Sequence, residues 1–149
     1  MPTSSPRLPQ VFIDADVLFA GSASPSEYGA SLVVLRMAEI TLINAIISQQ
    51  VITEAERNLA DKIPAALPAF HLLVQRCLQV VPNPKRTDLA TFQGMADEKD
   101  LPILATAVRE QCTWLLTFNV RHFQPGHSAV TVLNPGSFLT EVRYLLARL

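Results

Sequence analysis

Asp14 and Asp16 stand in the stretch VFIDADVLFAG, where three apolar residues run into two acids before apolar residues resume. Buried carboxylates without partners are costly and tend to neutralise, so something must favour two negative charges there. A bound cation would do so, and so would a turn at a strand end that admits water. Farther along the chain stand Glu54, Asp100 and Asn119. If these oxygens meet, with no Cys or His constellation among them, they select a hard cation, Mg²⁺ or Mn²⁺ rather than zinc. Such a cation lowers the pKa of a bound water and steadies charge on a phosphoryl oxygen, which is the chemistry of phosphodiester hydrolysis.

The elements that must bring them together alternate along the chain. QVFID, TLINAII, LQVVP, TWLLTF and AVTVL read as five strands. Between them EYGASLVVLRMAE places Leu32, Leu35 and Ala38 at helical spacing, and Ser48 suits the N-cap of QQVITEAERNLAD. AALPAFHLLVQRCL carries Leu67, Phe70, Val74 and Cys77 on one side. DLATFQGMA reads as a short helix and DLPILATAVREQ as a helix opened by Asp100. The final PGSFLTEVRYLLARL predicts a helix with an apolar stripe of Phe138, Val142, Leu145 and Leu149. Apolar strands separated by helices imply a parallel sheet covered on both faces, whose ligands bind beyond the carboxyl ends of the strands. Asp14 and Asp16 follow the first strand, Glu54 lies near the start of the helix after the second, and Asn119 follows the fourth. Asp100 opens a helix that runs back toward the fourth strand, so it too falls on that edge.

Composition bounds the rest. The chain has 149 residues, 49% of them apolar and 17% charged, enough for a single domain with a good core and unlike a disordered chain. No apolar stretch reaches the length of a membrane span. Residues 1–10, polar and Pro-rich, read as a flexible tail rather than a signal peptide, leaving 11–149 as the domain. Cys77 and Cys112 lack paired spacing and read as buried reduced thiols of a cytoplasmic protein. A net charge of −1 gives no general attraction to nucleic acid, so polyanion binding needs a local patch. Trp114 reads as core.

FIDADVLFAG, ISQQVITEAERNL and KDLPILATAVREQCTWLLTFNVRHF, in that order and spacing, resemble a PIN domain over about Val11 to Phe138. They resemble the small bacterial VapC-like proteins, which include the toxin nucleases of toxin–antitoxin pairs. The resemblance implies a three-layer α/β/α, Rossmann-like domain with a five-stranded parallel sheet in the order 3-2-1-4-5. It implies a metal-dependent ribonuclease with Asp14, Glu54 and Asp100 as catalytic acids that also hold the metal, Asn119 as the fourth catalytic residue, and Mg²⁺ or Mn²⁺ as cofactor. RNA as substrate, a small antitoxin as partner and a homodimer follow from the same likeness. Asp16 matches a position where the family usually has Asn, and it joins the expected metal set. Thr117 matches a hydroxyl residue ahead of the fourth acid and is assigned, with Arg121 and His122, to the substrate. The fourth acid itself departs from the pattern: TFN stands where Thr-Gly-Asp or similar is usual, so Asn119 keeps an oxygen without the charge.

Bland roles compete. Glu56 neighbours Glu54, and either suits a solvated helix face; Asp97 and Glu98 read as loop surface. A PIN fold that binds RNA or protein without cutting is the chief rival, because of Asn119. A haloacid-dehalogenase-like phosphatase also begins with a strand and D-x-D, but Lys62, Lys85 and Lys99 fit its late lysine poorly. A receiver domain needs an Asp after the third strand, where LQVVPNP offers Asn83.

Overall fold

The computed structural model describes residues 7–23 and 29–149. Five strands, β1 (Gln10–Ile13), β2 (Asn44–Ser48), β3 (Leu78–Val81), β4 (Trp114–Leu116) and β5 (Thr131–Leu133), form one sheet in the order β3-β2-β1-β4-β5. Every pairing is parallel. The helices α1 (Ala15–Ala23), α2 (Ala30–Glu39), α3 (Gln49–Lys62), α4 (Leu67–Cys77), α5 (Leu101–Arg109) and α6 (Pro135–Ala147) flank it as a three-layer α/β/α domain. This is the architecture and strand order expected from the sequence.

Burial follows position in the sheet. The side chains of Val11, Phe12 and Ile13 in β1, Ile46 and Ile47 in β2, and Leu115 and Leu116 in β4 are wholly buried, because helices cover both faces of the central strands. The outer strands are half-open: Gln79 and Val80 of β3 and Thr131 of β5 face solvent. Gly21 marks the close approach of α1 to α2, since a Cβ there would stand 2.4 Å from Leu35 Cδ1.

Several boundaries differ from the sequence expectation. The acids of VFIDADVLFAG do not interrupt one strand: β1 stops at Ile13 and α1 begins at Ala15, a helix that the uniformly apolar pattern concealed. The strand expected from Thr41 starts at Asn44, because α2 ends in a Schellman turn. There Thr41 takes the left-handed φ of 63°, its N–H donates to Ala38 O, and the N–H of Leu42 donates to Met37 O. α5 ends in the same motif, with Gln111 at φ 58° and the N–H of Cys112 donating to Ala107 O. DLATFQGMA belongs to a 3₁₀ run at Arg86–Phe92 followed by a turn. On α6 the stripe fails at its end: Phe138 is buried, whereas Leu145 and Leu149 are exposed. Gln10, at once the last residue of the expected tail and the first of the expected strand QVFID, opens β1 opposite Asn44. Residues 1–6 of that tail, and Glu27 and Tyr28 of the helix expected from Glu27, lie outside the described residues. Cys112 is buried and Cys77 half-buried, both as free thiols. Trp114 is half-buried, edge-on to the Phe138 ring at 5.3 Å between centroids. Among the described residues no helix is long and apolar enough to cross a membrane.

Candidate functional site

The carboxyl edge of the sheet carries a polar cavity of about 250 Å³ lined by Asp14, Asp16, Gln50, Glu54, Lys99, Asp100, Ile103, Asn119 and His122. All five oxygen-bearing residues expected at that edge are there. α1, α3 and α5 each present an amino terminus to it, so partial positive charge from three helix ends favours the acids.

Asp14 lies between β1 and α1. Its N–H still donates to Leu116 O of β4, while its carbonyl accepts from Leu18 N to start the helix. Asp14 as a whole is 9% exposed. Oδ1 accepts the Ala15 N–H at 2.8 Å and Oδ2 the Thr117 hydroxyl at 2.9 Å. These donors do not offset the desolvation of the charge. Burial first, and then the negative charge of Asp16, push the Asp14 carboxyl up from 3.8 to about 7.

Asp16 ties α1 to the segment after β4. Its Oδ2 accepts from Phe118 N at 3.0 Å, from Asn119 Nδ2 at 3.2 Å and lies 3.3 Å from Thr117 Oγ1. Its Oδ1 accepts from Val17 N at 2.7 Å. Burial raises this carboxyl as well, opposed by those N–H groups. The departure at Asn119 now has a physical partner. An aspartate at 119 would set two carboxylates against each other, whereas the amide offers Asp16 a hydrogen.

Thr117 was assigned to substrate, but it is fully buried. Its hydroxyl faces the carboxylates of Asp14 and Asp16 and accepts from Asn119 N at 3.1 Å. It orients acids and has no surface to offer a substrate.

Asp100 occupies the N-cap position of α5, yet its side chain makes no cap hydrogen bond. Its Oδ2 is sealed from solvent without a well-formed hydrogen bond, although His122 Nδ1 stands 3.3 Å away. Burial raises the Asp100 carboxyl, and Lys99 and then His122 pull it back. Asp97 also points at His122, with Oδ2 3.9 Å from Nδ1. The Asp97 N–H donates to His122 O at 2.7 Å, which joins the two turns carrying these residues. Asp97, Asp100 and His122 thereby offer three ligand atoms within 4.8 Å of one another.

Glu54 lines the cavity from α3, and its charge adds to the rise at Asp14. Glu56 instead meets His71, Oε2 to Nε2 2.7 Å, so the choice between the neighbouring glutamates falls to Glu54. Arg121 is exposed on the turn Val120–Phe123, beside the acids rather than among them. Sequence reasoning missed Gln50 and Lys99 in the lining, and it left Asp97 on the loop surface. Lys99 stands next to Asp100 in the chain, which was the available signal.

Buried acids whose carboxyl groups resist ionisation suit a divalent cation, which would offset their repulsion. The sealed Oδ2 of Asp100, lacking a donor of good geometry, is the clearest vacant acceptor. The donor set is oxygen-rich with one imidazole.

A family model described as PIN domain matches residues 10–121. No curated protein sequence matches the chain. Among solved structures, the chain is similar to a chain of VapBC2 from Rickettsia felis, crystallised with a DNA fragment from its promoter. The TM-score is 0.61 at 15% identity, over 84% of this chain and 98% of that one. It is similar to a chain of FitAcB from Neisseria gonorrhoeae at TM-score 0.60 and 18% identity, over 85% and 98% respectively. Both likenesses are of fold.

Proposed function

The chain belongs to the PIN domain family, and from that footing we propose that it is a metal-dependent endoribonuclease acting as the toxin of a toxin–antitoxin pair. The observation that carries this reading is the cavity where Asp14, Glu54 and Asp100, from three separate elements, face one another at the sheet's carboxyl edge.

Asp14 and Asp100 would hold a Mg²⁺ or Mn²⁺ ion, with Glu54 acting directly or through water and Asp16 fixing the neighbouring loop. The bound cation supplies a lowered water pKa and positive charge opposite the phosphoryl oxygens. Thr117 keeps Asp14 aimed at the site through its hydroxyl. Glu54, exposed at the rim, is placed to take a proton from an attacking water. Arg121 brings positive charge beside the acids, where an incoming phosphate would need it, and His122 lines the same space. Water attacks phosphorus in line, and the products carry a 5′-phosphate and a 3′-hydroxyl.

The similar chains come from VapBC2 and FitAcB, which supports a small antitoxin as the partner in a cytoplasmic pair. The exposed apolar residues Tyr144, Leu145 and Leu146 of α6, with Ile40 just after α2, support a homodimer.

Incubation of a single-stranded RNA with the protein and Mn²⁺, with and without EDTA, tests the reading. Cleavage that EDTA abolishes, with 5′-phosphate ends, is expected. A 2′,3′-cyclic phosphate would overturn the mechanism. Tight RNA binding without Mn²⁺-dependent cleavage would favour a non-cutting PIN module.

A further inference from the structure

We propose that Phe118 and Arg121 form a cradle that stacks and holds one unpaired base next to the scissile phosphate. The inference rests on the nuclease reading and specifies its substrate.

Phe118 is 52% exposed, the most open phenyl ring among the described residues. It is not a loose surface residue. Its backbone N–H is fixed on Asp16 Oδ2 at 3.0 Å, and the next residue, Asn119, holds the same carboxylate. The ring therefore projects from a root anchored to the acidic site. Beside it lies a second cavity of about 290 Å³, lined by Phe118, Asn119, Val120, Arg121, His122 and Asn134. Asn119 and His122 line the acidic cavity too, so the two spaces adjoin at those residues.

The chemistry of this second space differs from that of the first. It has an aromatic face and a guanidinium, and its lining contains no carboxylate. Among the described residues, Arg121 has no carboxylate within ion-pair reach. Asn134 accepts the Ser137 N–H on Oδ1 at 2.7 Å, which leaves its amide hydrogens to donate to a base edge. An aromatic ring stacks on any base, and a neighbouring cation takes the adjoining phosphate. A base within a duplex is already stacked and paired, so it has no face to give. The cradle accepts a base that stands out from its strand.

The test separates base from phosphate. Binding by fluorescence anisotropy, with Ca²⁺ in place of Mn²⁺, compares a short oligoadenylate with an abasic ribose-phosphate oligomer of equal length. The wild type should prefer the base-bearing strand by about tenfold. Phe118→Ala should erase that preference while Phe118→Trp keeps it, and Arg121→Ala should weaken both oligomers alike. In Mn²⁺ cleavage of the oligoadenylate, Phe118→Ala should raise KM and leave kcat near wild type. Equal binding of both oligomers by the wild type, or an unchanged preference in Phe118→Ala, overturns the cradle. If the preference holds but no RNA is cut, the nuclease reading fails and the cradle stands.

Discussion

The two edges of this sheet solve opposite problems. At the amino edge, Gln10, Asn44 and Gln79 stand on adjacent strands and satisfy one another: Asn44 Nδ2 reaches Gln79 Oε1 at 3.0 Å and Gln10 Oε1 at 3.3 Å. Gln10 Nε2 in turn donates to Glu110 O at 2.7 Å. Neutral amides both donate and accept, so a row of them is satisfied by one another and by backbone without any charged partner. At the carboxyl edge the same strands lead into acids that can only accept. The donors that reach Asp14 and Asp16 do not offset their burial, which holds Asp14, Asp16 and Asp100 above their ordinary range. The amino edge is complete as it stands, whereas the carboxyl edge is balanced only with a proton or a cation. That deficit is what makes it a site.

Asp14→Asn breaks the contrast where it is deepest. If the acid is a principal electrostatic group of the reaction, cleavage should fall roughly 10²-fold or more. Stability should move the other way in metal-free protein. The folded Asp14 carboxyl titrates at about 7 against 3.8 when unfolded. Between those values the folded chain holds a proton that the unfolded chain has released. Stability therefore falls as pH rises through that window, and the penalty is complete above it. On the order of 4 kcal/mol is at stake for a shift of this size. Thermal unfolding in EDTA between pH 4 and 8 should show this decline in wild type and a flatter profile in Asp14→Asn. Mn²⁺ at pH 8 should raise the wild-type Tm and do little for the variant. Parallel profiles would remove Asp14 from the metal site.

Which parts of this were legible in the sequence follows from periodicity. The central strands are apolar without alternation, and a Ser N-cap marks α3, where Ser48 Oγ accepts from Val51 N; such local signals place elements and hence the acids that follow them. α1 was hidden because Val17, Leu18 and Gly21 are buried in a stretch that is apolar on every side, and an apolar run does not distinguish helix from strand. The burial of Thr117 was hidden too, since only the pairing of β1 with β4 sets its hydroxyl against Asp14. The meeting of Asp97 with His122 depends on a backbone hydrogen bond between two turns, which no spacing rule anticipates. Leu145 and Leu149 kept a helical stripe beyond the point where α6 has anything to pack against.

A smaller effect sharpens the comparison at the Asp16–Asn119 pair, where the carboxyl edge borrows the amino edge's device of an amide donor. Asp16→Asn should weaken the anchoring of Phe118, and Asn119→Asp should place two carboxylates about the distance of the present hydrogen bond, 3.2 Å. Each single change should lower the Tm and slow cleavage. The double variant, Asp16→Asn with Asn119→Asp, restores an acid–amide pair in reversed order. It should recover much of the loss, with a coupling of roughly 1–2 kcal/mol from a thermal double-mutant cycle. Additive losses would mean that the two residues do not act as a unit.

The smallest effect belongs to the amino edge, and its value lies in what it leaves alone. Asn44→Ala removes the amide that links β1, β2 and β3, stranding Gln10 Oε1 and Gln79 Oε1 at a partly solvated rim. Water can replace the lost donor there, so the change should lower stability by only about 0.5–1.5 kcal/mol, read as a small drop in Tm. Because Asn44 opens β2 at the end away from the acids, the rise in Tm on adding Mn²⁺ should match that of wild type. The slope of stability against pH should also be unchanged, since no carboxyl group gains or loses a neighbour. A reduced Mn²⁺ response in Asn44→Ala would show that the two edges are mechanically coupled through β2, and that the deficit at the carboxyl edge depends on more than the residues that line it.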